Sequence, residues 1–373
     1  MTTAPHNPFR PSFGVTPQVP AGRDHTVLQV GLALREGPGS PFRFTLISGT
    51  RGSGKTVLLN MLEDEARRAN WHVLRVPASR DMIGELTRQS LPRLLEELDP
   101  ESEQTEFTGG SLASLGSISV NRRDKYPSEH SLRSLFKQAA SLALCSNSGI
   151  FLTMDELQSA DLDDLHQLSD TIQDCVRDEL PIGLAVAGLP AEISELLQHP
   201  GTTFLRRAIP IETEHIPTEE VEKVLQDTAA IGGKQFDPPA LREASGIIAG
   251  YAFMTQLVGS ISFSLTASEL IGEHEVKRSL PLVEERIGLQ VHHPALKVLP
   301  ERELEYLVAM LDHARTGDIA RSMGIPANQQ STYQRRLKDR GLIRSPRYGH
   351  VEFAIPYLRE YVRKHYRPGI ERR

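Results

Sequence analysis

Residues 49–56 read Gly-Thr-Arg-Gly-Ser-Gly-Lys-Thr and stand between an apolar run at 42–49 and a helix-like stretch at 55–69. A glycine, four residues and then Gly-Lys-Thr, after a strand and before a helix, is the pattern of a phosphate-binding loop. Glycine lets backbone N–H groups turn towards phosphate, and the helix N-terminus adds a partial positive charge. The alternative is a glycine-rich turn that only joins strand to helix. The residues expected to hold the phosphates are Gly49, Thr50, Arg51, Gly52, Ser53, Gly54, Lys55, Thr56 and Val57.

This loop predicts roles for side chains around it. Lys55 is expected to reach the β- and γ-phosphates of ATP, and the Thr56 hydroxyl is expected to bind Mg²⁺. A second apolar run, at 149–154, ends in Asp155 and Glu156. A metal on the phosphates needs a carboxylate at this edge of the sheet, so Asp155 is predicted to be a Mg²⁺ ligand. Glu156 is the candidate base or water-positioning group, and the alternative is a strand that ends in two solvated acids.

Glu156 also bears on whether the nucleotide is only held or also cut. A protein that merely holds a nucleotide does not need a second acid beside the metal ligand. The pair of acids therefore favours hydrolysis, with Lys55 and Glu156 as catalytic residues, although it does not indicate a fast rate.

Apolar strands alternate with amphipathic helices through the first half of the chain. This alternation indicates a parallel sheet that helices cover on both faces, an α/β fold. Residues 217–290 read as all-helical, and the polar stretch 101–130 reads as a long loop or a small hairpin without an assigned function. The predicted strands lie at 42–49, 71–78, 149–156, 183–190 and 208–212.

These motifs together resemble those of the AAA+ ATPases, in particular bacterial ATPases related to origin-recognition and archaeal replication-initiator proteins. The resemblance covers the loop, the Met-Asp-Glu stretch at 154–156, residues 183–190 and residues 203–208. It implies the sheet order 5-1-4-3-2, a helical lid and a C-terminal winged helix. It also implies that residues 19–34, which contain a Pro-x-Gly-Arg stretch, lie against the adenine.

In such proteins an arginine near the end of the core reaches the γ-phosphate of a neighbouring subunit. The matching residue is Arg207, with Arg206 as the second choice, so self-association is expected. The alternative is a pair of surface arginines. The chain departs from the family in two places, because the fourth strand ends at Leu189 without a polar residue and residues 250–253 contain no arginine. Both departures favour a slow nucleotide switch over a vigorous motor.

The C-terminal residues differ in charge from the rest of the chain. Residues 291–373 contain 16 Lys and Arg against 9 Asp and Glu, a net +7, which leaves −13 for the preceding residues. Helices are predicted at 299–313, 316–325 and 326–341, followed by a two-stranded wing at 342–355 that turns at 348–350. This order predicts a winged helix that binds duplex DNA, and a protein-contact role is the alternative. The candidate contacts are Gln329, Gln330, Ser331, Thr332, Gln334, Arg335, Arg344 and Arg347, with His350 beside them on the wing.

The predicted organisation is an N-terminal arm (1–25), an ATPase core (26–215), a helical lid (216–290) and the winged helix (291–373). No apolar run is long enough for a membrane span, and the two separated cysteines suit a reducing cytoplasm. The sequence thus predicts a Mg²⁺-dependent ATPase that acts as a switch on DNA. The alternative function is a signalling scaffold. In it, ATP binding locks the chain as an inactive monomer, and the winged helix makes protein contacts.

Overall fold

The structure is a computed structural model that describes residues 6–12, 14–100, 131–198, 200–213 and 215–366. The stretch 101–130, predicted to be a loop or a small hairpin, lies outside the described residues. Both cysteines are free. No helix within the described ranges combines the length and the apolar character that crossing a bilayer requires.

A parallel sheet of five strands lies at the centre of the core. The strands are β1 (Phe44–Ser48), β2 (His72–Arg75), β3 (Ile150–Met154), β4 (Ile182–Gly188) and β5 (Ile209–Glu212). Their order is β2-β3-β4-β1-β5, which confirms the predicted order 5-1-4-3-2. Strands β3 and β4 are buried along their whole length, and this burial explains why they read as continuous apolar runs.

Helices cover both faces of this sheet. They are α1 (Asp24–Glu36), α2 (Lys55–Arg68), α3 (Met82–Glu85), α4 (Leu91–Leu98), α5 (Leu132–Cys145), α6 (Leu162–Arg177) and α7 (Pro190–Gln198). Successive strand residues point to opposite faces, so each strand serves two apolar clusters. In β1, Ile47 packs with α1 and α2, whereas Leu46 belongs to the cluster formed with α4, α5 and α6.

A helical region follows the core. It consists of α8 (Thr218–Ile231), α9 (Pro238–Ile248), α10 (Ala252–Leu265) and α11 (Glu273–Ile287). The prediction that 217–290 is all-helical is wrong at two short parallel strands, β6 (Gln235–Phe236) and β7 (Leu270–Ile271). Lys234 precedes β6, and its buried ammonium donates to the carbonyl groups of Phe263 and Thr266. These bonds hold the turn before β6 against the end of α10, where the chain runs on towards β7.

The last part of the described chain is a C-terminal module, here residues 291–366. Its elements are α12 (His293–Lys297), α13 (Glu301–Ala309), α14 (Thr316–Met323), α15 (Ala327–Asp339), β8 (Ile343–Arg344), β9 (Glu352–Phe353) and α16 (Leu358–Tyr366). Strands β8 and β9 pair as an antiparallel hairpin. The Val351 N–H also donates to the carbonyl of Ala314, at 2.9 Å, so the hairpin lies against the residues just before α14.

The C-terminal module packs directly on the helical region. One apolar cluster runs from Val283 and Ile287 of α11, through Val291, to Leu358 and Val362 of α16. All of these side chains are buried. The module is therefore fixed to the helical region by a shared core.

The N-terminal arm packs on the same region. Phe9 is buried, and its ring meets that of Phe263 in α10 edge to face, with 6.2 Å between the ring centres. The Asn7 amide donates to the carbonyl of Ser260, at 2.9 Å. The arm thus crosses α10 before the chain enters α1.

Candidate functional site

The predicted phosphate-binding loop connects β1 to α2. Gly52 and Gly54 adopt φ angles of 75° and 93°, a left-handed conformation that favours glycine. A side chain at position 52 would also collide with the hydroxyl of Tyr251. The loop therefore needs glycine both for its backbone path and for the close approach of another element.

Lys55, the first residue of α2, lies over this loop. Its ammonium donates to the carbonyl groups of Gly49 and Thr50, at 2.9 and 3.0 Å. The side chain thus folds back across the loop, where an ammonium can meet phosphate oxygens that the loop holds.

The two predicted metal ligands lie side by side. The Thr56 hydroxyl donates to Oδ2 of Asp155, at 2.5 Å, and so joins the start of α2 to the end of β3. The other carboxylate oxygen of Asp155 accepts the N–H of Glu156, at 2.9 Å. A hydroxyl and a carboxylate are hard oxygen donors of the kind that Mg²⁺ takes beside phosphate. The residues present therefore fit a magnesium ion at this position.

Glu156 has a strained backbone. Its φ and ψ angles are 52° and 53°, the left-handed region that residues other than glycine rarely adopt. Such a conformation costs on the order of 1–3 kcal/mol and is concentrated at functional sites. The bend brings Glu156 to the wall of a cavity that Lys55, Thr56 and Asp155 also line.

This phosphate-side cavity has a volume of about 500 Å³. The end of β4 contributes Gly188 and Leu189 to it, so the fourth strand brings no polar side chain there. Residues that the sequence did not point to, Gln290, Val291 and Pro294, also line it. They come from the junction between the helical region and the C-terminal module, far from the loop in sequence.

A second, arm-side cavity of about 140 Å³ adjoins the same loop and shares Gly52, Lys55 and Thr56 with the phosphate-side cavity. Its apolar lining comes from the N-terminal arm and from the helical region, including Val15, Pro17, Ile216 and Phe253. Arg23 of the Pro-x-Gly-Arg stretch also lines it, and burial lowers the pKa of its guanidinium. An apolar slot that continues a phosphate loop suits a flat ring system such as a nucleobase.

Helix α10 holds the loop from outside. The Tyr251 hydroxyl donates to the carbonyl of Arg51, and the Phe253 N–H donates to the carbonyl of Gly52, at 3.1 Å. Both residues belong to the stretch 250–253 in which the sequence shows no arginine. The start of α10 therefore contacts the loop through the Tyr251 side chain and the Phe253 backbone, which residue identity in one sequence could not reveal.

Arg206 and Arg207 end the 3₁₀ segment Pro200–Arg207 and are both exposed. Arg206 donates to the carbonyl of Leu197, at 2.6 Å. Among the described residues that line the phosphate-side cavity, neither arginine is found.

Helix α15 carries most of the predicted DNA contacts. Gln329, Ser331 and Arg335 are exposed, and Thr332 is half-buried. Gln330, another predicted contact, is only 6% exposed, and its amide donates to the Tyr306 hydroxyl, at 3.0 Å. The helix turns Gln330 towards α13, where it cannot meet a base edge.

Two further predicted contacts are engaged within the chain. The Gln334 amide donates to the hydroxyl of Ser345, at 3.1 Å, and so ties α15 to the hairpin. Arg344 donates to Glu352 and to Nε2 of His215, a residue that follows β5. In this arrangement the Arg344 guanidinium is therefore engaged with the core, although 51% of the side chain is exposed. Arg347 lies near the exposed tip of the hairpin, beside His350.

The C-terminal module also contacts the loop itself. Gly341, which follows α15, faces the Thr50 side chain so closely that a Cβ there would lie 3.1 Å from Thr50 Cγ2. Between these contacts a cavity of about 230 Å³ is lined by the loop, the helical region and the module. The module is thus docked against the outer side of the phosphate-binding loop.

Comparisons with known proteins agree with this fold. Residues 19–182 match a family model described as AAA ATPase domain, and residues 289–362 match one described as Domain of unknown function (DUF8462). None of the curated protein sequences is a significant match to this chain. The Walker-type ATPase PABY2304 of Pyrococcus abyssi shares the fold, with a TM-score of 0.63, 16% identity and coverage of 93% of this chain and 99% of that chain.

Two other solved structures are less similar. The RuvB Holliday junction branch migration motor of Thermotoga maritima has a TM-score of 0.46 and 15% identity, over 92% of this chain and 95% of that one. The Orc1 protein of Aeropyrum pernix, solved in complex with DNA, has a TM-score of 0.43 and 15% identity, over 93% and 94%. The family match and the sheet order together support an AAA+ ATPase core.

Proposed function

We propose that the protein is a Mg²⁺-dependent ATP hydrolase that works as a slow nucleotide switch on duplex DNA. One observation carries the proposal: Lys55, the Thr56–Asp155 pair and Glu156 converge on one cavity, and a slot suited to a base adjoins the same loop. Hydrolysis, metal dependence and a base site need this arrangement, whereas a plain strand-to-helix turn does not.

The chain's own residues divide the work as follows. The loop and Lys55 bind and orient the phosphates, and Thr56 with Asp155 would hold the Mg²⁺ ion. When bound, this ion supplies positive charge that stabilises the phosphoryl oxygens. Glu156 orients the attacking water and accepts its proton, since its carboxylate is the second acid at the cavity wall.

We further propose that a second copy of the chain completes the site. The exposed Arg207, with Arg206 as the alternative, would reach the γ-phosphate bound by a neighbouring subunit and stabilise charge in the transition state. A turnover rate per molecule that rises with protein concentration would support this role.

The C-terminal module is proposed to be a winged helix that binds DNA. Its support is the excess of basic residues and the exposed face of α15, with Gln329, Ser331, Thr332 and Arg335 as contacts. Arg347 at the hairpin would meet the phosphate backbone. Gln330, Gln334 and Arg344 are left out of this set because all three are engaged within the chain. The boundaries at residues 25, 215 and 290 remain our proposed division into domains.

The docked position of the module favours a second candidate function. Gly341 against Thr50 and Arg344 against His215 hold the module on the nucleotide-binding loop. A signalling scaffold that ATP locks would use these contacts as an internal brake, with the module making protein contacts. Binding of duplex DNA by the full chain that weakens steeply with salt would decide for the DNA function.

Steady-state ATP turnover with Mg²⁺, with and without duplex DNA, tests the proposed activity. We expect Lys55→Ala to abolish nucleotide binding or turnover. Glu156→Gln is expected to keep ATP binding but to lower turnover by a factor of about 10² or more, since the carboxylate that accepts the proton is lost.

Glu179→Gln is the matched control, because Glu179 is also an exposed acid with a left-handed backbone (φ 56°) but does not line the cavity. It should turn over ATP like the wild type. Unchanged turnover in Glu156→Gln would show that another group activates the water.

A further inference from the structure

Two residues in the wall of the phosphate-side cavity, Gln290 and Val291, belong to a single turn, Gly288–His292, which lies between α11 and α12. This turn is a π-helix, a rare form that occurs frequently at functional sites. It places Gln290 on the cavity that Lys55, Asp155 and Glu156 line. Gln290 is exposed, so its amide is accessible from the cavity.

Gln290 differs in chemistry from its neighbours in that wall. Among the described lining residues outside the loop, α2 and the two acids, the others are Gly14, Gly188, Leu189, Val291 and Pro294. Among these described lining residues, only Gln290 has a polar side chain. An amide carries two N–H donors that can bond a phosphate oxygen without adding net charge.

The opposite side of the same turn is anchored in the C-terminal module. His292 is completely buried, and its Nε2 lies 2.9 Å from the carbonyl of Pro356. Its ring meets Tyr361 of α16 edge to face, with 5.2 Å between centres. Burial lowers the pKa of His292 to about 4, so the ring is neutral at pH 7 and its Nε2–H donates to the carbonyl. Gly288 faces Tyr361 so closely that a Cβ would lie 2.9 Å from its ring.

We propose that Gln290 contacts the terminal phosphate of a nucleoside triphosphate and that the turn Gly288–His292 passes this contact to the C-terminal module. This proposal rests on the proposed function of the site. A diphosphate lacks the group that Gln290 meets, so the residue distinguishes ATP from ADP. Leu189, which follows β4, also lines the cavity but brings no polar side chain to it.

The test measures dissociation constants of the full chain with Mg²⁺ for a non-hydrolysable ATP analogue and for ADP. We expect Gln290→Ala to weaken binding of the ATP analogue by roughly tenfold, the value of a hydrogen bond to a charged group, and to leave ADP binding unchanged. Leu289→Ala is the matched control, since Leu289 is the exposed neighbour and does not line the cavity.

The relay to the module has a separate readout. Hydrogen exchange in residues 356–366 should change when the ATP analogue binds to the wild type, and this change should be lost in Gln290→Ala at saturating analogue. The same exchange response in both proteins would overturn the relay.

Different results would contradict the proposed function and the role of Gln290. A wild type that binds neither nucleotide contradicts the proposed function itself. A wild type that binds both, together with a Gln290→Ala variant of equal affinities, overturns the role of Gln290 alone. An equal loss for the ATP analogue and ADP also overturns it, because that result indicates a general effect on the site.

Discussion

At the scale of single residues, groups from outside the phosphate-binding loop hold its carbonyl oxygens. Tyr251 and the backbone of Phe253 bond the carbonyl groups of Arg51 and Gly52. Burial raises the pKa of the Tyr251 phenol, so its hydroxyl keeps its proton and remains a donor. Carbonyl groups that are held on the outer side leave the loop's N–H groups free to face an anion. Tyr251 therefore preorganises the loop for phosphate.

We expect Tyr251→Phe to weaken ATP binding by roughly three- to tenfold, because one hydrogen bond that shapes the loop is lost. Titration with a fluorescent ATP analogue would measure the effect. Tyr348→Phe is the control, since Tyr348 is fully exposed on the hairpin and should bind like the wild type. Wild-type affinity in Tyr251→Phe would show that α10 does not shape the loop.

At the scale of elements, α2 and β3 are joined at two levels. Thr56 donates to Asp155 at the edge of the sheet, and further down the helix Glu63 accepts from the Thr153 hydroxyl, at 2.8 Å. Thr56 and Glu63 are two helical turns apart and so lie on one face of α2. Thr153 and Asp155 are two positions apart and so point to the same face of the sheet. Arg75 of β2 also donates to Glu63, at 2.6 Å. This network sets the position of the loop helix relative to the strand that carries the metal ligand.

We predict that Glu63→Gln lowers the free energy of unfolding by about 1–2 kcal/mol, as charge-assisted bonds to a buried carboxylate become neutral ones. The expected loss of stability is small because Arg75 is 69% exposed and solvent screens its charge. Urea denaturation at pH 7 would measure it. Asp64→Asn, which alters an exposed neighbour on α2, should change stability by less than about 0.5 kcal/mol.

The same pair predicts a pH dependence. Burial alone would raise the pKa of Glu63, but the bonds from Arg75 and Thr153 outweigh it, and the pKa lies below the ordinary value of 4.5. The carboxylate therefore stabilises the fold above pH 4.5, and this contribution is lost as the pH falls through the depressed value. The stability difference between wild type and Glu63→Gln should shrink in acid, and a difference that grows there would contradict the assignment.

At the scale of the whole molecule, one side of the C-terminal module faces the core and another side faces solvent. Its hairpin places Arg344 against His215 of the core and Arg347 near the exposed tip. His215 carries its proton on Nδ1, which donates to the carbonyl of Ala249. Its Nε2 accepts from the Arg344 guanidinium, a group that can only donate. One arginine thus serves docking and the other faces solvent.

Comparison of Arg344→Ala with Arg347→Ala in the full chain tests this division. Arg347→Ala should weaken binding to duplex DNA at all salt concentrations and reduce the salt slope by about 1, as one phosphate contact is lost. Arg344→Ala should keep the salt slope, because its guanidinium is engaged with the core. Fluorescence anisotropy at several salt concentrations gives both values, and the reverse ranking would mean that the module undocks to bind DNA through Arg344.

The features of this protein that depend on neighbouring residues can be predicted from its amino-acid sequence. The loop at 49–56 and the strand-to-acid step at Asp155 follow from turn chemistry and apolar periodicity, which act over a few residues. The strand positions followed from the same patterns, and the family resemblance supplied their order, which the structure confirms.

Which distant groups meet depends instead on long-range packing and is visible only in the folded chain. Gln290 and Tyr251 stand far along the chain from the loop, and nothing in their own surroundings points to it. Gln330 and Arg344 are polar residues at positions typical of DNA contacts, yet α13 and the core engage them. The physical reason is that a helix or hairpin offers several faces, and long-range packing selects the one that is buried.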